Sequence, residues 1–405
     1  MSQTILSRPA RPATSSRHGR GFWLVAFAFG VAMAFSTVPT PLYPLYMARD
    51  GFSTFMVTVV FAAYAVGVVI SLLLAGHVSD WVGRRRVLVP ALGLELVAAV
   101  LFLVSTDLTV LLVARLVTGL GVGLITATAT AHLAELHAAH RPGASGQRFE
   151  MVSTAANIGG LGFGPLVAGF LAQWVDSPLR TPYLVFAGLL VLAVAAVLAA
   201  PETVTPPAEK PVYRPQRISA DHGDPAGYVA ATAAAFSGFS IFGLFTSVAP
   251  GFVAGTLHHP SRALAGVIVF AVFGAAAAAQ SLTAKLPARV KMTTGLLAEA
   301  LGLVVLVVGV RTEALAAFLV GGVLAGIGAG VIFKAAIGRV VAMAAPARRG
   351  EALAGLFLIG YLGLIVPALG IGVAVRSFDT ATVLTGFAGV LLALLAGVGV
   401  LNRRS

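Results

Sequence analysis

Glu95, Arg115, Glu299 and Lys334 stand inside stretches of sequence that are otherwise apolar. An ionisable group in hydrocarbon is costly, so each must be paired, protonated or wetted, and such residues mark proton or substrate pathways by default. A glutamate can take up and release a proton. An arginine cannot at any accessible pH, so Arg115 can only tune a neighbouring carboxylate or hold an anion, unless it snorkels to the outer interface ~10 Å away. Glu95, the acidic side chain nearest the expected midplane in the first half of the chain, is expected to be the coupling carboxylate. Pairing with a neighbouring segment is the other role open to it, and Glu299 is the second coupling candidate. Bond-making chemistry is not visible. There is no cysteine, which excludes thiolate nucleophiles, disulfides and thiolate metal sites. His132, His137, His140, His258 and His259 fall in loops or at helix ends without metal-ligand spacing. Neither an enzyme, a metal site nor a cofactor is expected.

The elements that hold these residues follow from composition. Of the 405 residues, 58% are hydrophobic and 10% charged, with a mean hydropathy of +0.94; a soluble domain carries roughly 25% charged residues. The chain therefore reads as an integral membrane protein, for which the bilayer is the solvent. Apolar runs near 20 residues divide it into twelve spans, at about 22–46, 53–75, 87–104, 108–133, 149–174, 181–200, 227–251, 262–284, 292–310, 313–342, 351–375 and 379–401. Phe22 to Tyr46 is too long for the apolar core of a signal peptide. Positive charge sorts by side: of 27 Lys and Arg, the expected outer loops hold Arg49, Arg180, Arg262, Arg311 and Arg376. That places both termini in the cytoplasm and the net charge of +12 against anionic lipid headgroups rather than nucleic acid. A basic tail (1–21), a six-span half (22–200), a proline-rich linker (201–226) and a second six-span half (227–405) result. The halves echo each other: GLGVG at 119–123 returns as GIGAG at 326–330, and Glu95 as Glu299 at a similar offset. Repeated halves around a midplane site are a transporter architecture.

Between the second and third spans runs GHVSDWVGRRR, Gly76 to Arg86. Gly76 permits close packing, Gly83 a tight turn, and Asp80 can cap or pair while Arg84 and Arg85 stay at the headgroups. This loop resembles that of the major facilitator superfamily, G-x-x-x-D-R/x-x-G-R-R/K. In that family an acidic residue at the end of the fourth span pairs with the loop arginine, which implies an Arg84 to Glu135 latch. Arg115, Gly119 and Gly121 are similar to the family's R-x-x-x-G-x-G. GLGFGPLVAG in the fifth span resembles its G-x-x-x-G-P-x-x-G-G through Gly160, Gly164, Pro165 and Gly169, with Ala168 where the pattern has glycine. Small residues four apart let helices approach closely, and proline bends a helix; a helix rocking against its counterpart across the halves needs both. In the family this motif marks exporting antiporters.

The resemblance implies an all-α fold of two six-helix bundles, working as a monomer by alternating access in the cytoplasmic membrane. The function expected is proton-coupled efflux of small hydrophobic or amphipathic compounds, with the proton gradient as energy source. Import of a sugar or organic acid is the alternative, and a non-transporting receptor or scaffold on the same fold a third. Candidates for the cavity come from several spans. FSTVPTPLYPLY in the first has Pro39, Pro41 and Pro44 to loosen the helix, which exposes Ser36, Thr37, Thr40 and Tyr43. Phe236, Phe239, Phe242 and Phe245 recur every third residue in the seventh, and Phe239 and Phe242 are the cavity candidates among them. Asn157, Gln280, Lys334 and Tyr361 complete the set. The second half lacks an aspartate in AKLPARVKM and the Gly-Pro pair in its eleventh span. No carboxylate falls in spans one, four, seven or ten, so proton coupling rests on the resemblance.

Overall fold

A computed structural model describes residues 13–205, 207, 212–218, 223–345 and 348–404; Arg8 and Arg11 of the basic tail and parts of the linker lie outside them. The described residues contain twelve helical spans: Ser16–Asp50, Thr54–Ala75, Arg84–Val104, Leu108–His140, Gln147–Trp174, Thr181–Ala199, Pro225–Ser247, Arg262–Leu282, Ala288–Arg311, Leu315–Met343, Arg349–Ala374 and Thr380–Asn402. They are numbered here spans 1 to 12. Span 4 runs seven residues further than its apolar run, to His140, because a helix can continue into water once its apolar part is embedded. Twelve crossings return the chain to the face it started from. That face carries the basic loops and is called the basic face.

Of three irregularities, two have local causes. Span 1 breaks as its prolines require: helix Ala13–Thr37 gives way to a 3₁₀ turn at Thr40–Leu42, then resumes at Tyr43–Asp50. Span 7 stops at Ser247, and a short helix Ala249–Gly255 follows with Pro250 in its first turn, where a missing N–H costs nothing. In span 5, residues Ala155–Gly159 form a π-turn, a widening no sequence pattern announced.

Glycines set how closely the spans pack. Spans 2 and 4 meet backbone to backbone, so a Cβ on Gly119 would overlap the carbonyl of Tyr64, and one on Gly67 that of Leu116. Between the halves, contacts concentrate on the face opposite the basic one. Gly169 lies against the Arg262 carbonyl and Gly266 against that of Pro165, joining spans 5 and 8; Gly372 lies against Phe55 and Thr58, joining spans 11 and 2. Arg262 fastens the first contact, its backbone N–H donating to Gln173 (3.0 Å) and its Nη1 to the Ala172 carbonyl (3.0 Å).

Candidate functional site

With that end sealed, the halves separate toward the middle and leave a cavity of about 820 Å³. Its walls differ. Spans 1, 2, 4 and 5 contribute Thr37, Thr40, Arg115, Thr126 and Asn157 with the rings of Phe61 and Tyr64, whereas spans 7, 8, 10 and 11 contribute Phe239, Phe242, Phe273, Phe333, Phe357 and Tyr361 with Thr246. A second space of about 570 Å³ opens between the basic-face ends of spans 2 and 11, and Phe357 and Tyr361 line both spaces. The partition between them is therefore aromatic. Nearby, Lys334 of span 10 pairs with Glu150 of span 5 at 2.9 Å and ties the halves across the basic side.

Arg115 is 2% exposed, which removes the snorkelling alternative. Its guanidinium lies 4.4 Å above the Tyr64 ring, a contact worth up to about 2 kcal/mol when desolvated. Its Nη1 donates to the Ser36 carbonyl at 2.5 Å, and its Nε has no protein partner.

On span 5, Pro165 has no N–H to give the carbonyl of Leu161 one turn back. The Thr37 hydroxyl of span 1 is 2.9 Å from that carbonyl and donates to it. The carbonyl that Pro165 leaves without an intrahelical donor is thus satisfied by a hydroxyl from the broken helix beside it. Gly160 and Gly164 make room for this contact, the first against Gly30 and Met33, the second against Ala34 and Thr37. They face span 1 inside their own half, whereas Gly162 and Gly169 meet span 8 across the interface. The expected rocking surface therefore divides into two faces, because residues four apart share one side of a helix while the intervening ones do not.

At the basic face the loop closes into one charged cluster. Arg84 Nη2 donates to Glu135 (2.7 Å), and Nη1 donates to Ser79 (2.7 Å) and to Asp80. Gly83 stands at φ +117°, where side chains are strained. Glu202, first in the linker after Pro201, accepts from the backbone N–H groups of Arg84 (2.9 Å) and Arg85 (3.0 Å) and so caps span 3. Burial pushes its carboxyl up, but bonds from the N–H groups of Val204, Arg84, Arg85 and Thr203 outweigh this and hold it below the usual glutamate value. Thr203 Oγ1 donates to Glu135 at 2.5 Å, and His132 Nε2 is 2.9 Å from the Pro201 carbonyl.

The sequence model described as Major Facilitator Superfamily matches residues 25–309. The chain belongs to the major facilitator superfamily. An uncharacterized MFS-type transporter of Mycobacterium tuberculosis, Rv1250, is 31% identical over 47% of this chain and 34% of its own length. The arabinose-proton symporter of Bacillus subtilis is 31% identical over 20% of this chain and 18% of its own. Quinolone resistance protein NorA of Staphylococcus aureus is 25% identical over a third of each, 33% and 33%. The matches thus cover between 18% and 34% of these relatives' own length. Among solved structures, the human organic anion transporter MFSD10 superposes with a TM-score of 0.65 over 96% of this chain and 100% of its own, at 17% identity; that likeness establishes the shared fold.

Within this superfamily fold, Thr37, Thr40, Asn157, Phe239, Phe242 and Tyr361 stand where the sequence expected them, on the cavity, and Arg115, named there as a coupling candidate, lines it with them. Four cavity candidates do not. Ser36 precedes Thr37 by about 100° around the helix and is turned inward, bonding the Met33 carbonyl at 2.7 Å. Tyr43 is buried beyond the 3₁₀ turn, and its hydroxyl has no protein partner. Gln280 lies seven residues past Phe273, ~10 Å nearer the basic face. Lys334 yields its place on the wall to Phe333 and pairs with Glu150 instead. The phenylalanine stripe winds, since a three-residue step turns each ring about 60° from the last, and Phe245 packs under Phe318.

The coupling candidates Glu95 and Glu299 are both 0% exposed and off the cavity wall. Glu299 accepts a bond from Ser237 at 2.5 Å. Neither oxygen of Glu95 has a protein partner, and Glu95 lies against Gly121. Sequence reading missed Glu150, Glu202, Thr203, Phe333 and Phe357. Phe357 was recoverable, being four residues before Tyr361 and so on its face; Glu202 was recoverable as the first acid after span 6.

Proposed function

We propose that the protein is a secondary transporter that exports small hydrophobic or amphipathic compounds by alternating access in exchange for protons. The observation that carries this reading is the cavity between the halves. It is sealed on one side by glycine-lined helix contacts and divided from a basic-side cleft by the Phe357 and Tyr361 side chains. Access from only one side at a time is the physical requirement of alternating access. Export is supported by span 5, whose proline and glycines resemble the antiporter pattern, and by the similarity to NorA. The aromatic wall fits apolar solutes, and Arg84 with Glu135 supplies a latch that one state makes and the other breaks. The similarity to an arabinose-proton symporter supports import as the second reading.

Membrane vesicles separate the two. With a transmembrane pH gradient and a panel of fluorescent amphipathic dyes, export predicts uptake into inside-out vesicles with an acidic interior, abolished when the gradient is collapsed. Accumulation confined to right-side-out vesicles would reverse the assignment.

A further inference from the structure

Resting on the reading of the central cavity as the solute site, we infer that the cavity selects organic anions, holding a carboxylate or similar group at Arg115 and an aromatic body against the phenylalanine wall. Arg115 is the charged side chain on that wall among the described residues. It makes no ion pair among the described residues, and the hydrogen bond it does make is to the neutral backbone carbonyl of Ser36. Its Nε is buried and has no protein partner, and the side chain is 98% buried by a residue exposure of 2%. A guanidinium held in this way is a preorganised donor for an oxyanion, because the cost of placing its charge out of water is already met by the fold.

Other charges do not cancel it. Glu95 interacts electrostatically with Arg115, but it lies against Gly121, off the cavity wall, and makes no hydrogen bond to Arg115. Glu150 is engaged by Lys334. A cationic solute in this cavity would therefore meet a like charge with no carboxylate on the wall to receive it. The hydroxyl of Thr40 and the amide of Asn157 share Arg115's side of the cavity and can donate to the same oxygens. Opposite, Phe239 and Tyr361 meet edge to face at 5.3 Å, and Phe242 stacks on Phe273 at 4.6 Å, a surface that suits a planar ring.

The test is equilibrium binding to the purified full chain in detergent, by calorimetry, with three naphthalenes of matched size: 2-naphthoate, 2-naphthalenemethanol and 2-naphthylmethylammonium. Naphthoate is expected to bind at least tenfold more tightly than the alcohol, and the ammonium most weakly. Arg115→Gln should abolish that order and Arg115→Lys should keep it. If neither Arg115 variant folds, Asn157→Asp, which places a carboxylate on the wall, should weaken naphthoate at least tenfold while leaving the alcohol within twofold. Equal binding of all three, preference for the ammonium, no naphthoate binding at millimolar concentration, or an anion preference that survives Arg115→Gln or Asn157→Asp would each overturn the inference. Because binding is read without a gradient, these outcomes are independent of the vesicle result on direction and coupling.

Discussion

Replacing Thr37 by valine keeps the shape of the side chain and removes one hydroxyl. The structure makes the cost of that change depend on a residue in another helix. The Leu161 carbonyl lost its intrahelical donor to Pro165, and Thr37 supplies the donor instead at 2.9 Å. Hydrogen bonds between membrane helices are worth about 0.6 kcal/mol on average and up to about 1.7, and stranding a buried carbonyl costs about 1–3 kcal/mol. Thr37→Val should therefore destabilise the protein by about 1–2 kcal/mol. In a Pro165→Ala background the residue regains an N–H aimed at Leu161, and the same substitution should cost about 0.5 kcal/mol or less. The Thr37 hydroxyl also lies 3.1 Å from the Ala34 carbonyl, but that contact is common to both backgrounds and cancels in the cycle. Equilibrium unfolding in mixed micelles, followed by tryptophan fluorescence with Trp174 at the end of span 5 as reporter, measures all four variants. Equal costs in the two backgrounds would refute the argument that the hydroxyl substitutes for the missing backbone donor.

Two further outcomes are expected. Gly119→Ala forces a methyl into the Tyr64 carbonyl and should cost about 1–3 kcal/mol, whereas Gly93→Ala, with nothing within 4 Å of the added carbon, should be neutral or stabilising by up to about 1 kcal/mol; identical melting temperatures for the two variants would sink the close-approach reading. Glu202 is held below its ordinary value of 4.5, so its contribution is fully present above that value and fades as pH falls through the lower folded one. Protection of the Arg84 and Arg85 amides, taken relative to the intrinsic exchange rate at each pH, should be lost as pH falls through the folded value of Glu202, and Glu202→Gln should lower protection at neutral pH and flatten the pH response; protection unchanged in that variant would remove Glu202 as the cap.

Most of the fold was legible because the bilayer imposes a single rule on every span. Apolar runs near 20 residues gave twelve helices whose ends agree within a few residues, except where polar ends such as those of span 4 continue beyond the hydrocarbon. Pro39, Pro41 and Pro44 announced the break in span 1 because a missing N–H has a local consequence. The π-turn at Ala155–Gly159 had no such announcement: it is a choice among helical hydrogen-bond patterns that tertiary contacts settle. The cavity was half legible for a related reason. Arg115 and Asn157 stood out as polar groups in apolar surroundings, but Phe333 and Phe357 are the same residue type that fills ordinary helix contacts, and composition cannot say which phenylalanines meet empty space. Lys334 and Glu150 lie 184 positions apart in sequence, so their pairing became visible only once the two halves were packed together.

The Phe357 and Tyr361 partition gives the two ends of the pathway different clocks. Between cavity and cleft, two aromatic side chains stand in the way, and clearing them takes a change of rotamer rather than a change of helix packing. At the other end the obstruction is backbone against backbone at Gly169 and Gly266, while Gly372 closes on Thr58 and Phe55. Opening there requires four helices to part together, a collective motion of microseconds to milliseconds. A solute in the cavity would thus sample the basic side many times for each chance to see the other, and the slower of the two motions would set the turnover of the cycle.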